Sequence, residues 1–429
     1  MHPNLLIISN NCLSNTDSNG RTLQNFLIGW PTEHIAQFYI QNKISDSVIC
    51  SNYYRITDRQ ALEAFLGRNK PYRKIEECTS SVENSSRQEV PSRNAITMLA
   101  RNFIWNSNRW WTSSFDDWLD SFNPQIILLQ AGDCSFMLRL AECISRKFDA
   151  PLVIYNSESY YFKDSDYFGS SGIKHWFYPL FIKQFRRQFK RTLPNATISI
   201  YACDKLKKAY DDEFNSPSDV VYTATSLSPN HLIEEHTAFT VSYLGNLGIG
   251  RHVPLIEIAN ALQRISPDIY LNIYGKTNND EVIRLFDNCR GIKYHGFVSY
   301  EKVIEVMNSS DLLVHAENFS DFYTKDLEFA FSTKIADSLA VGTSFLLYAP
   351  KNLACSQYLN ENKAAFVVSD YQSLEATLRT IICNAEERSK YSLSAKKLVE
   401  TNHQSKKCAE KFQNILLKAN HSHNENSAN

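Results

Sequence analysis

Phe331-Ser332-Thr333-Lys334-Ile335-Ala336-Asp337-Ser338-Leu339-Ala340-Val341-Gly342 runs into Thr343-Ser344-Phe345-Leu346-Leu347-Tyr348, and the reading of this stretch decides the fold. Ile335, Ser338, Leu339 and Val341 recur at helical spacing, and Gly342 can supply the positive-φ residue that ends a helix. Phe345 to Tyr348 form a run suited to a buried strand, so a short helix feeds a strand. Lys334 and Asp337 stand three residues apart, on neighbouring turns of one face. Free N–H groups at a helix start, joined by Ser332, Thr333 and Lys334, make an anion site, and an acid one turn later can accept bonds from a vicinal diol. Phosphate and diol together are what a nucleotide presents. Without them, Lys334 and Asp337 are an i,i+3 surface pair contributing about 0.2–0.5 kcal/mol.

The 429 residues suit two cores of about 200 residues each. A hydrophobic content of 43% with 21% charged residues is that of a globular protein, and a net charge of −1 gives no global attraction to nucleic acid. The ten cysteines form no C-x-x-C pair and share no metal-ligand spacing with the histidines, and Met1-His2-Pro3-Asn4 has no charged leader with an apolar core. Reduced thiols in a cytoplasmic protein are expected. No run reaches the roughly 18 to 20 apolar residues of a membrane span, so any membrane contact is peripheral.

Leu5-Leu6-Ile7-Ile8 is a continuous apolar run, the mark of a buried parallel strand, and Gly20-Arg21 stand in the loop between it and a helix through Leu23, Phe26 and Leu27. Gln37 to Ile40 and Asp46 to Ser51 are expected as a second strand and a short third element, and Arg68 to Asn94 as a mobile excursion. Trp105, Trp110, Trp111, Phe115, Trp118 and Leu119 crowd one helical segment ending at Asn123-Pro124, as core residues more readily than as sugar platforms. The runs 125–130 and 151–156 are further strands. Asp133 and Glu158 follow them, with Tyr160 just beyond, at the carboxyl ends where substrates are handled, although such acids more often cap helices. Between Lys174 and Arg191, Phe177, Phe181, Phe185 and Phe189 repeat every fourth residue beside six Lys and Arg. That pattern suits either an anionic membrane surface or a core-facing helix with a solvated basic back. A linker at 223–237 precedes a second array, in which Phe239 to Leu244, Ile269 to Gly275, Ile292 to Val298 and Leu312 to His315 are strands. A glycine-rich turn, Gly245 to Gly250, ends at Arg251. Two βα arrays in tandem give an α/β architecture of two Rossmann-like domains facing a cleft.

Taken together, Tyr243-Leu244-Gly245-Asn246 with Arg251, Ile273-Tyr274-Gly275, Tyr294-His295-Gly296-Phe297-Val298, Ser310-Asp311-Leu312-Leu313-Val314 and 332–342 resemble the donor domain of GT-B glycosyltransferases. The resemblance is to the family 4 group of retaining, nucleotide-sugar-dependent enzymes of bacterial polysaccharide assembly. It implies an N-terminal acceptor-binding domain over 1–228 and a donor domain over 229–402. A helix at 403–420 would pack back toward the N-terminal domain, ahead of a disordered tail at 421–429. It places Gly20, Gly245, Asn246, Arg251, Gly275, Gly296, Phe297, Val298, Ser332, Thr333, Lys334 and Asp337 at the donor, with Arg251 and Lys334 at the diphosphate. Arg21, Asp133, Glu158 and Tyr160 are the acceptor-side candidates. Asp337 takes the place of the second acid of the family's Glu-x7-Glu motif. Phe329 stands where the first acid would be, leaving Glu328 and Glu317 as the nearest replacements.

The implied activity is transfer of a sugar from a nucleoside-diphosphate sugar, of UDP type, to a glycan or lipid-linked acceptor, with neither metal nor other cofactor. A nucleotide-sugar epimerase on the same fold, for which Asp133, Glu158 and His295 are the acid/base candidates, is one alternative. A GT-B-like subunit that binds without turnover is the other.

Overall fold

Strands that read as unbroken apolar runs become the centres of two parallel sheets. A computed structural model describes residues 2–15, 18–68, 74–75, 93–228 and 239–428. The chain divides into two compact units, Met1–Tyr222 with Cys408–Asn429, and Thr223–Lys407. The first unit contains β1 (Leu5–Ser9), β2 (Ile35–Tyr39), β3 (Asn52–Arg55), β4 (Lys74–Ile75), β5 (Ile126–Gln130), β6 (Leu152–Asn156), β7 (Ile198–Tyr201) and β8 (Ser218–Val220). They lie in the order β4-β3-β2-β1-β5-β6-β7-β8, with seven strands parallel and only β4 antiparallel to its neighbour. β1, β2, β5 and β6 are buried along their whole length, because helices cover both faces of such a sheet.

The second unit contains β9 (Val241–Leu244), β10 (Leu271–Tyr274), β11 (Ile292–Gly296), β12 (Leu312–Ala316), β13 (Ser344–Tyr348) and β14 (Phe366–Val368), in the order β11-β10-β9-β12-β13-β14 and all parallel. Helices His252–Ile265 and Tyr371–Cys383 send Leu255, Ile258 and Leu262, and Leu374, Leu378 and Ile381, into the core against this sheet. Strand order reverses between β1 and β5 in one unit and between β9 and β12 in the other. Ligands of doubly wound sheets bind at such switch points, outside the carboxyl ends of the strands.

Several elements differ from the sequence reading. The third strand is Asn52–Arg55, beyond 46–51. Asp46 is tied to Asn15 instead: its Oδ1 accepts from the Asn15 N–H at 2.9 Å and its carbonyl from Asn15 Nδ2 at 2.7 Å, so that carbonyl is taken up outside a strand ladder. The tryptophan-rich segment is two helices, Ala95–Asn106 and Ser113–Phe122, because Asn108 at φ +57° breaks it. The closing helix is Ser405–Ala428, preceded by Ala385–Leu398 and a π turn. The tail expected to be disordered from 421 is therefore helical to Ala428, and His423 Nε2 lies 3.0 Å from the Asp149 carbonyl. In the same unit Phe412 stacks on Phe26 at 4.8 Å, and Gln413 Nε2 donates to the carbonyls of Phe26 and Ile28. The excursion at 68–94 and the linker at 223–237 fall largely outside the described residues, at 69–73, 76–92 and 229–238.

The basic aromatic helix is split into Ile173–Trp176 and Tyr178–Thr192. Phe181, Phe185 and Phe189 are buried in the first unit, while Phe177 is exposed. Four residues advance an α-helix by about 400°, so a repeat of four drifts about 40° per step and its first member rotates off the face. Of the two readings of this stretch, the core-facing helix holds for Phe181, Phe185 and Phe189, while Phe177 stays on the surface.

Backbone contact fixes one glycine absolutely. A Cβ on Gly275 would lie 2.0 Å from the Gly245 carbonyl oxygen, which is anchored backbone. Gly275→Ala is expected to destabilise the protein by about 1–3 kcal/mol, seen as a lowered urea midpoint.

Candidate functional site

The switch point of the second unit is built from the segments that follow β9 and β12. The helix His252–Ile265 starts there, with Arg251 as its N-cap residue. Glu317 arrives directly after β12, held by its N–H to the Tyr348 carbonyl at 3.0 Å. Arg251 donates from Nε and Nη2 to the two oxygens of Glu317 at 2.8 and 2.7 Å, a bidentate fork, and from Nη1 to the Asn246 carbonyl at 3.4 Å. His315 Nε2 lies 2.9 Å from Glu317 Oε1, and Asn318 Nδ2 donates to the Gly250 carbonyl at 2.8 Å. Burial alone would raise the Glu317 carboxyl, but the bonds from His315 and Arg251 outweigh it and hold it below the ordinary carboxylate range. Burial opposes the charge on Arg251 as well, and Glu317 more than restores it.

The guanidinium is therefore charged and fixed in direction, with two of its five N–H bonds without a partner among the described residues. Such a group beside a helix N-terminus can receive an anion. The neighbouring loops are laced by backbone bonds, Gly245 N–H to the Tyr274 carbonyl and Gly275 N–H to the Gly296 carbonyl, at 2.9 and 2.8 Å. Asn246 caps its own turn through Oδ1, which accepts from Gly248 N–H. Beyond them Tyr274 and His295 stack at 4.4 Å, Phe297 is exposed and Val298 half-buried, which leaves aromatic surface at the ends of β10 and β11.

Lys334 and Asp337 lie on helix Thr333–Ala340, which leads into the start of β13. Its N-terminus therefore returns to the carboxyl edge of the sheet, the edge that carries Arg251 and Glu317. Ser332 caps it, its hydroxyl accepting from the Lys334 N–H, and Thr333 opens its first turn. Asp337 is buried, and its Oδ1 accepts from Thr225 Oγ1 at 2.7 Å. Thr225 belongs to a segment clasped by His403, whose Nδ1 lies 2.8 Å from the Thr223 carbonyl and whose Nε2 lies 2.9 Å from Tyr358 Oη. Burial drives His403 down to about 4. Glu328 contributes its carbonyl to Ala354 N–H at 2.8 Å and is half-buried.

In the first unit the corresponding edge holds another cluster. A Cβ on Gly20 would meet the Cys12 carbonyl at 2.4 Å, so the loop after β1 closes onto the start of helix Ser18–Phe26, where Arg21 also lies. Asp133, buried after β5, accepts from Arg93 and, at 3.0 Å, from Tyr167 Oη. The Tyr160 and Tyr167 rings are 5.9 Å apart, with the Lys163 ammonium 5.3 and 4.9 Å from their centres. Burial first, then Glu158 and Asp133, push the Tyr160 hydroxyl up, so it stays a neutral donor. Glu158 itself is exposed.

Residues 251–414 match a family described as glycosyl transferase-like. The chain carries a glycosyl transferase-like region and has the GT-B fold. No curated protein sequence matches it. Among solved structures, the chain is similar to sucrose-phosphate synthase from Thermosynechococcus elongatus, with a TM-score of 0.62 at 12% identity over 96% of this chain and 98% of that one. Anabaena Alr3699/HepE, solved with UDP, gives 0.62 at 11% over 96% and 99%. The lipopolysaccharide outer core galactosyltransferase WaaB gives 0.57 at 12% over 97% and 99%.

Of the residues named from the sequence, the fold brings Asn246, Arg251 and Glu317 into direct contact, and sets Lys334 and Asp337 on a separate helix of the same edge. Asp133 and Tyr160 meet around Tyr167. Sequence reasoning missed His315, Asn318, Thr225 and His403, and in the first unit Arg93, Lys163 and Tyr167. His315 was visible as a polar residue inside an apolar strand; Thr225 and His403 gave no signal, being 112 and 66 residues from Asp337.

Proposed function

We propose that the enzyme transfers a hexose from a UDP-sugar to a glycan or lipid-linked glycan acceptor, with retention of configuration, in cell-surface polysaccharide biosynthesis. The observation that carries this reading is the Arg251 guanidinium, on a side chain only 12% exposed, locked by Glu317 and still offering N–H bonds at the switch point. Arg251, Lys334 and the N–H groups of two helix starts take the diphosphate, Asp337 the ribose diol, and Glu317 orients Arg251. Asp133, Tyr160, Glu158 and Arg21 face the acceptor. In the reaction the bond between C1 and the phosphate oxygen breaks, the acceptor oxygen bonds to C1, and its proton passes to the departing phosphate. Charge grows on the diphosphate, where fixed cations and dipoles lower the barrier most. The solved complexes of HepE with UDP and with UDP-glucose support the choice of donor.

The test is incubation of the purified protein with UDP-glucose, UDP-galactose and GDP-mannose, followed by mass spectrometry. Release of UDP, slowed about a hundredfold or more in Lys334→Ala, supports transfer. Conversion between UDP-sugars without free UDP would instead mark an epimerase, and binding without any conversion a non-catalytic subunit.

Among the described residues no helix is long and apolar enough to cross a membrane. We assign peripheral contact with an anionic bilayer to the stripe Ile173, Trp176, Phe177 and Leu180, which are 71%, 80%, 40% and 54% exposed at i, i+3, i+4 and i+7 spacing. No Asp or Glu occurs from 173 to 192, and the flanking Lys174 and Lys183 form no ion pair among the described residues, so the charge suits an anionic surface. Trp176→Ala with Leu180→Ala is expected to weaken sedimentation with phosphatidylglycerol vesicles by about tenfold or more while UDP binding is unchanged. Equal sedimentation of variant and wild type would refute the contact.

A further inference from the structure

Two cavities of about 310 Å³ each lie against helices Ala95–Asn106, Ser135–Phe148 and Tyr178–Thr192 of the first unit, and Arg191 lines both. That volume is at the lower end of small-molecule sites. Trp105, Trp110, Trp111 and Phe136 line the first, and Arg139 and Arg146 stand beside them. Ser135, Asn106 and Arg187 line the second. The donor-side residues belong to the other unit, and none of the acceptor-side candidates lines either cavity.

The charge of the lining is unbalanced. Four arginines share one acid, Glu142, which is engaged by Arg146 and lies 3.7 Å from Arg191. Arg139 is held by the Asn106 carbonyl at 3.1 Å and Asn108 Oδ1 at 2.6 Å. Arg187 makes no hydrogen bond or ion pair among the described residues. Two buried polar atoms are also unsatisfied there: the hydroxyl of Ser135, a residue 3% exposed, and Asn106 Oδ1. Burying a polar group with no partner is costly, and a bound ligand that pairs with it would recover that cost. Guanidinium forks fit phosphate oxygens, the Ser135 hydroxyl can donate to one, and indole and phenyl rings accept a flat apolar body.

We propose that these cavities form a binding site for a small phosphate ester carrying an aromatic ring, separate from the donor site. The probe is phenyl phosphate, titrated into the full chain with tryptophan fluorescence as readout, since three tryptophans line the first cavity. Saturable quenching is expected, with inorganic phosphate binding at least tenfold more weakly. Arg187→Gln with Arg191→Gln is expected to raise the dissociation constant at least tenfold, and Arg187→Lys with Arg191→Lys to restore part of it. Arg187→Gln alone touches an exposed, unpartnered side chain and keeps the test valid if the double variant misfolds. Lys334→Ala should leave the titration unchanged while weakening UDP. Absence of saturable quenching, quenching indifferent to both arginine variants, or a loss in Lys334→Ala instead would each overturn the site and leave the proposed transfer untouched.

Discussion

Arg251→Ala is expected to abolish measurable transfer, slowing it by about a hundredfold or more, and to destabilise the second unit by about 3–5 kcal/mol. Both effects follow from one geometry. The guanidinium gives Glu317 two parallel hydrogen bonds, so removing it leaves a buried carboxylate with His315 as its remaining side-chain hydrogen-bond partner among the described residues. Arg251→Lys keeps a charge but not the fork, and falls between. The two roles separate in Arg251→Met with Glu317→Leu, which removes the buried charges together. Urea unfolding should show most of the stability recovered, because an apolar pair of similar volume replaces a buried ion pair at little cost. Nucleotide release should stay as slow as in Arg251→Ala. A double variant that turns over normally would show that the pair is structural only.

Acid is expected to loosen the protein well before ordinary carboxylates titrate. His403 is fully buried between Thr223 and Tyr358 and takes its proton only near pH 4, whereas the unfolded chain takes it near 6.5. Between these values the unfolded state binds more protons, so stability rises with pH through that window and is lost as pH falls from about 6.5 to 4. A shift of that size corresponds to about 3 kcal/mol. Glu317, depressed in the folded state, adds a loss of the same sign at lower pH, below its unfolded value of 4.5. His403→Gln keeps an amide for the two neighbours and cannot titrate. Its urea midpoint is expected to be flatter than that of wild type from pH 6.5 to 4, and an unchanged slope would assign the acid sensitivity elsewhere.

The parallel strands were legible because full burial leaves continuous apolar runs, as at Leu5 to Ile8 and Leu312 to Val314. The glycines between them were legible because backbone must pass close to backbone there. What stayed hidden was long in range or local in geometry. Nothing in the order of residues announces that Thr225 will reach Asp337, or that His403 will clasp Thr223. The phenylalanines of 177–189 showed a period, but a period of four does not say which members turn inward. Packing placed three in the core and left Trp176 and Leu180, which no period had singled out, on the surface. Arg251 is legible from its place after a glycine turn, but spacing alone makes Glu317 a substitute for a missing sugar-side acid and does not show that it fixes Arg251.

The most direct measurement is calorimetric titration of wild type, Arg251→Lys, Lys334→Ala and Asp337→Asn with UDP and UDP-glucose. Micromolar binding by the wild type, weakened about tenfold or more, a loss near 1.4 kcal/mol, in each of the three variants, is the predicted result. Absence of binding to either nucleotide, or binding that none of the three substitutions weakens, would contradict it.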